Sequence, residues 1–144
     1  MNVYAESSAV LAWLFDERGA DAVSDSLATA EIVVASDLTL VECDRVLLRG
    51  VATDAMSSDE AKRHRDTLNE RARKWVLVRV DEEVVRRARR AFPVEPLRSL
   101  DAIHLSTAIS IRASIGDLSI LTLDRRIRAN GEALGFEILP EQVD

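Results

Sequence analysis

The sequence predicts an α/β protein in which a mostly parallel sheet of about five strands is covered by helices on both faces. Three observations carry that expectation. Short apolar or β-branched runs alternate with longer helical patterns along the whole chain. Capping residues and glycines punctuate the changes from one to the other. No Ser/Pro-rich or Gly-rich tract divides the 144 residues, so a single domain over 1–144 with a substantial core is expected.

Taken in order, Asn2 to Ala5 reads as a short strand, and Ser7 or Ser8 can cap a helix through AVLAWLFDE. Gly19 interrupts that helix before a second piece, ADAVSDSLATA. EIVVAS is a strand with its β-branched run at 32–34. Asp37 can cap the helix LTLVECDRVLLRG, which Gly50 would close. In SSDEAKRHRDTLNERARK, Ser57 or Ser58 begins a long polar helix, with Glu60 placed for a reciprocal cap on Ser57. WVLVRV is a strand, and DEEVVRRARRAF is a helix with acids first and arginines last, the order that the helix dipole favours. Pro93 and Pro96 enforce a loop. SLDAIHLSTAISIRAS is helical and mostly apolar, hence expected at the centre of the molecule. Gly116 precedes the strand DLSILTL, Asp124 begins the helix DRRIRANGEALG, and FEILP is the last strand.

Composition narrows the chemistry. Aromatic residues are only 4%, which leaves no visible platform for stacking bases. The net charge of -6 argues against a bulk electrostatic grip on nucleic acid, but not against an enzyme whose carboxylates hold a metal. Seventeen Arg stand against two Lys, and arginine is the better bidentate partner for phosphate or carboxylate. A lone cysteine, Cys43, excludes an internal disulfide and a cysteine-rich metal site. The apolar runs are too short for a membrane span and MNVYAES lacks a signal-peptide pattern, so a cytoplasmic protein without a membrane partner is expected.

Four acids stand where solvent-face acids do not. Glu6 and Asp124 follow strands, at the edge where parallel α/β sheets bind ligands, and Asp101 opens the central apolar helix. Glu42 has Leu38 and Val46 as its helical neighbours, so it interrupts an apolar stripe. Each also has a plain reading. Glu6 could form a loop salt bridge, Asp101 and Asp124 could be caps, and Glu42 could pair with an arginine such as Arg98 or Arg125. Together they would make a hard-oxygen pocket of the kind that magnesium or manganese favours.

The segments YAESSAVLAWL, LVECDRVLL, SLDAIHLSTA and ILTLDRRI with ANGEALGF resemble, in that order, the four acidic motifs of the PIN domain family. More narrowly they resemble the single-domain VapC-type toxins of toxin–antitoxin pairs, over essentially the whole chain, with LDAIHLSTA the most specific piece. The resemblance implies a three-layer α/β/α sandwich and a metal-dependent endoribonuclease toxin acting on transfer or ribosomal RNA. It implies an acidic quartet of Glu6, Glu42, Asp101 and Asp124 that binds Mg2+ (or Mn2+) and carries catalysis. It further implies a homodimer and inhibition by a cognate VapB-type antitoxin. The family usually has Asp where this chain has Glu6, which moves the carboxylate by one methylene.

Around the quartet, Ser7 and Thr122 are candidate hydroxyls for orienting a carboxylate or a water. Arg45, Arg98 and Arg125 are candidates for substrate phosphate. His104, one turn after Asp101, is expected to be a packed or locally hydrogen-bonded histidine, outside the quartet. Two other functions compete. A catalytically inactive PIN-like domain would serve only as an RNA- or protein-binding module. A magnesium-dependent phosphatase or receiver-like protein would need a lysine at a later strand end, and neither Lys62 nor Lys74 occupies one.

Overall fold

Parallel strands cannot be joined by a tight hairpin, so each return to the sheet must pass through a helix. The structure, a computed structural model, describes residues 1–143 and follows that rule throughout. Strands β1 (Asn2–Ala5) and β2 (Ile32–Ser36) are separated by α1 (Ser7–Leu14) and α2 (Ala20–Thr29). Helices α3 (Asp37–Ala52) and α4 (Ser58–Ala72) lead to β3 (Val76–Val78), and α5 (Glu82–Ala88) and α6 (Ser99–Ile115) lead to β4 (Ser119–Leu121). Helix α7 (Arg125–Ala133) precedes β5 (Ile138–Leu139). The five strands pair in the order β3-β2-β1-β4-β5, all parallel.

Alternation along the strands divides the core in two. Val3, Ala5, Val33, Ala35 and Leu121 face α1 to α4, packing on Ala9, Val10, Val23, Leu27, Cys43 and Leu68. Tyr4, Ile120 and Ile138 face the other way, onto Ala102, Leu105, Ala108, Ile127 and Phe136. The result is the expected three-layer α/β/α sandwich. Among the described residues, no helix is long and apolar enough to cross a membrane.

The strand order also fixes where a ligand can bind. From β1 the chain moves outward to β2 and β3, then returns to place β4 on the other side of β1. The helices that follow β1 and β4 therefore leave in opposite directions, opening a crevice over the carboxyl ends of these two strands. Glu6 and Asp124 both lie there, because β1 ends at Ala5 and β4 at Leu121.

Four local expectations are corrected. Helix α1 stops at Leu14, where the chain turns through Asp16 (φ 53) and Gly19 (φ 88), the latter in a conformation that glycine adopts without strain. Helix α3 runs past Gly50 to Ala52, and the left-handed residue after it is Asp54 (φ 57). Its cap is Ser36, whose hydroxyl accepts from Leu38 N at 3.0 Å, rather than Asp37. Its buried row is Thr39, Cys43 and Leu47, one position on from the anticipated stripe, so Glu42 flanks the core at the crevice.

Burial, then the charges of Glu42, Glu6 and Asp44, pushes the Cys43 thiol up from 9.0 to about 12. Burial likewise holds the Tyr4 phenol well above its ordinary 10.0. The unfolded chain therefore loses these protons first, and fewer bound protons in the unfolded state mean that stability falls as pH rises. The thiol's contribution should be intact below pH 9 and decline between 9 and about 12. Urea unfolding in metal-free buffer across that range should show the decline, and Cys43→Ala should make it shallower whatever its effect at neutral pH.

Candidate active site at the carboxyl edge of the sheet

Glu6 extends the ladder by one bond, its N–H donating to Leu121 O at 3.0 Å, and then starts α1 as its N-cap. Its carboxylate folds back on the helix that it begins. Oε1 accepts from Ser7 Oγ at 2.7 Å and Ser8 N at 3.1 Å. Oε2 accepts from Ser8 Oγ and from Thr122 Oγ1 at 2.6 Å. Both lone pairs of each oxygen thus face protein donors, and Glu6 is 3% exposed. The cap is the glutamate itself and not Ser7 or Ser8, because the extra methylene lets one side chain reach both the helix N–H and β4's end. Thr122 in turn accepts from Asp124 N at 3.1 Å, and Leu123 N donates to Ser8 Oγ at 2.9 Å, so α1 and the end of β4 are stitched together.

Glu42 meets neither Arg98 nor Arg125. Its Oε1 lies 3.1 Å from Ser7 Oγ, sharing the one hydroxyl proton with Glu6, and contacts His104 Nε2, which also lies 4.0 Å from Glu6 Oε1. On its other side, His104 Nδ1 lies 2.6 Å from the Tyr4 hydroxyl. Burial and the charges of Glu6 and Glu42 raise Tyr4 and keep the phenol protonated, so it can donate to Nδ1. Nε2–H is then the donor to Glu42. A buried chain Tyr4–His104–Glu42–Ser7–Glu6 results. His104 is indeed packed and hydrogen-bonded, but its partners are not local, lying 100 and 62 residues away.

Asp101 and Asp124 form the second half. Arg98 donates Nε and Nη2 to Asp101 Oδ2 and Oδ1 at 2.8 and 3.3 Å, and the same Nη2 donates to Asp124 Oδ2 at 2.9 Å. Asp124 Oδ1 caps α7, accepting from Arg126 N and Ile127 N at 2.9 and 3.1 Å. The loop that delivers Arg98 is held by Asn130, fully buried on α7. Its side chain accepts from Val94 N and donates to Val94 O, both at 2.9 Å. Asn130 went unnoticed in the sequence, where a lone Asn inside a helical pattern carries no signal.

The structure thus brings Glu6, Ser7, Glu42 and Thr122 together, and Asp101, Asp124 and Arg98 together, with Thr122 joining the two groups. Arg45 and Arg125 are exposed and make no ion pair among the described residues. Among the described residues, no three His, Cys, Asp or Glu side chains converge closely enough to hold a metal ion. Glu6 is instead met by three hydroxyls and a backbone N–H, and the Arg98 guanidinium bridges the two aspartates.

Residues 3–133 match the PIN domain family. This chain is a PIN-domain protein. Ribonuclease VapC46 of Mycobacterium tuberculosis (strain ATCC 25618 / H37Rv) is 33% identical over 137 residues, covering 95% of each chain. Ribonuclease VapC35 of Mycobacterium tuberculosis (strain CDC 1551 / Oshkosh) is 30% identical over 143 residues, again over 95% of each. The PIN domain is therefore homologous to VapC-type proteins. Solved structures agree on the fold. Mycobacterium tuberculosis VapC20, a toxin that cleaves the sarcin-ricin loop, aligns with a TM-score of 0.63 at 13% identity, covering 93% of this chain and 95% of that one. VapBC2 of Rickettsia felis, bound to a DNA fragment from its promoter, aligns with a TM-score of 0.63 at 7% identity over 96% and 97%. In this PIN domain Glu6 and Asp124 cap the helices that follow β1 and β4, Asp101 lies in the first turn of α6, and Glu42 lies in the second turn of α3.

His104→Leu removes partners from a buried phenol and a carboxylate and should cost about 2–4 kcal/mol, whereas Tyr4→Phe, which leaves only Nδ1 unpaired, should cost about 1 kcal/mol. In urea denaturation the double variant should be no less stable than His104→Leu alone. Additive losses would mean that the two side chains do not act as one chain.

Proposed function

We propose that this PIN domain is a divalent-metal-dependent endoribonuclease of the VapC type. Its donor set supports the reading: four carboxylates with no thiol facing the crevice suit Mg2+ or Mn2+. In this reading Asp101 and Asp124 would hold the ion, with Glu42 standing beside it as the proton acceptor. Glu6, whose oxygens already accept four donors, adds charge from behind and fixes Ser7 and Thr122. When bound, the ion lowers the pKa of a water and offsets charge on the phosphate.

The chain's own residues do the rest. Glu42 offers Oε2, which takes no donor among the described hydrogen bonds, and accepts the proton of the attacking water. Oε1 stays held by Ser7 and His104, so the carboxylate does not rotate. Arg98, Arg45 and Arg125 receive substrate phosphate, and the helix starts at Glu6, Ser36, Arg98 and Asp124 add N–H dipoles of the same sign. The products are a 5'-phosphate and a 3'-hydroxyl, and the substrate is transfer or ribosomal RNA. The VapC relationship further supports a homodimer held inactive by a VapB-type antitoxin.

One observation favours a second reading, a PIN-like binding module without catalysis: the carboxylates of Asp101 and Asp124 already share the Arg98 guanidinium. The phosphatase reading has no such support, since Lys62 pairs with Asp66 on an exposed helix face. Antitoxin-free protein incubated with total RNA and Mg2+ or Mn2+ decides between the first two. Cleavage should require metal and fall to background in Glu42→Gln and Asp101→Asn, while Thr122→Val should lose about 10–100-fold. Equal cleavage by wild type and the acid variants would sink the proposal.

A further inference from the structure

The ion pair of Arg98 with the two aspartates is lopsided. Asp101 is buried, its side chain 7% exposed, while the Arg98 side chain is 60% exposed. A carboxylate so far from water requires a positive partner, whereas an exposed guanidinium loses little by turning into solvent. Among the described residues no other group bonds its side chain. Arg98 is itself the N-cap of α6 and makes no side-chain cap bond, and Asp124 is the N-cap of α7. Both helix starts repel a cation, so only the carboxylates attract it. Asn130 pins the loop backbone at Val94, four residues before Arg98. Rotation of one side chain is enough to free both aspartates.

On the metal-dependent reading above, we infer that Arg98 is an exchangeable clasp: its guanidinium and the divalent ion compete for Asp101 and Asp124. Without the ion, Arg98 keeps two like charges side by side in a partly buried crevice. With the ion, the guanidinium is expelled toward the crevice mouth, where its fork meets substrate phosphate. Metal loading and RNA binding are thereby coupled through one side chain. Arg98 holds the two aspartates before the ion arrives and contacts the substrate afterwards, so the two roles exclude each other in time.

Calorimetric titration of Mn2+ into the metal-free full chain tests this. Arg98→Gln should bind Mn2+ about tenfold or more tightly than wild type, as expected when a charge-assisted competitor is lost. Arg98→Lys, which keeps the charge but not the fork, should fall between. Arg126→Gln removes an exposed neighbouring charge and should change affinity far less. In Arg98→Gln the rise in melting temperature on adding Mn2+ should exceed that of wild type, while KM for RNA increases. Tighter metal with weaker RNA is the signature of exchange. Equal Mn2+ affinity in wild type and Arg98→Gln, weaker affinity in the variant, or an equal gain in Arg126→Gln would each overturn the clasp and leave the metal reading standing. Absence of Mn2+ binding in every variant would overturn both.

Discussion

Charge compensation at one edge of the sheet governs this molecule. Parallel pairing with β1 between β2 and β4 brings the ends of these strands to the same side, where Glu6 and Asp124 follow β1 and β4 and helices α3 and α6 carry Glu42 and Asp101. Negative charge in a half-dry crevice is unfavourable unless donors or cations oppose it. The hydrogen bonds around the site answer that demand, and the two halves answer it differently. Glu6 and Glu42 are met by hydroxyls, a backbone N–H and an imidazole nitrogen, all short or fixed groups. Asp101 and Asp124 are met by a formal positive charge.

That difference follows from the elements that carry them. Glu6 sits between two strand ends, within reach of Ser7, Ser8 and Thr122, and its burial excludes a long cationic side chain. Asp101 lies at the start of α6 behind an irregular loop, where an arginine can enter from solvent. The fully dry half is organised by short side chains that cannot leave. The half open to solvent is organised by a long one that can. On the proposed function, a rigid half and an exchangeable half would suit a site that keeps a proton acceptor oriented while admitting an ion and a polyanion.

Much of this is legible in the sequence, for reasons that also show why the rest is not. All twelve elements follow from local signals: β-branched runs, Ser57 and Asp124 as caps, a break at Gly19, and acids leading arginines in α5. The four motif acids stand out because each opposes its local pattern. The cap of α1 is misread because N-cap preferences favour short side chains, and only the neighbouring strand reveals what a glutamate can reach. Arg98 and Asp101 are readable as an i, i+3 pair, but the bond from Arg98 to Asp124 crosses 26 residues and depends on the β1–β4 pairing. His104 is the instructive case. Its spacing from Asp101 suggests a shared role that the structure does not make, whereas its actual partners, Tyr4 and Glu42, come from other layers.

Glutamate at position 6 changes the balance of the site. A glutamate cap orders more rotatable bonds than an aspartate would, an entropic cost offset here by four accepted hydrogen bonds. Those bonds oppose part of its charge with hydroxyl and backbone N–H dipoles. The strongest uncompensated pull on a cation then comes from Asp101 and Asp124, which is where Arg98 stands. An aspartate at position 6 would retract from Thr122, free one carboxylate oxygen, and shift the centre of negative charge toward β1. The identity of the first acid thus bears on the last two, through Thr122 and the backbone of Asp124 that it holds.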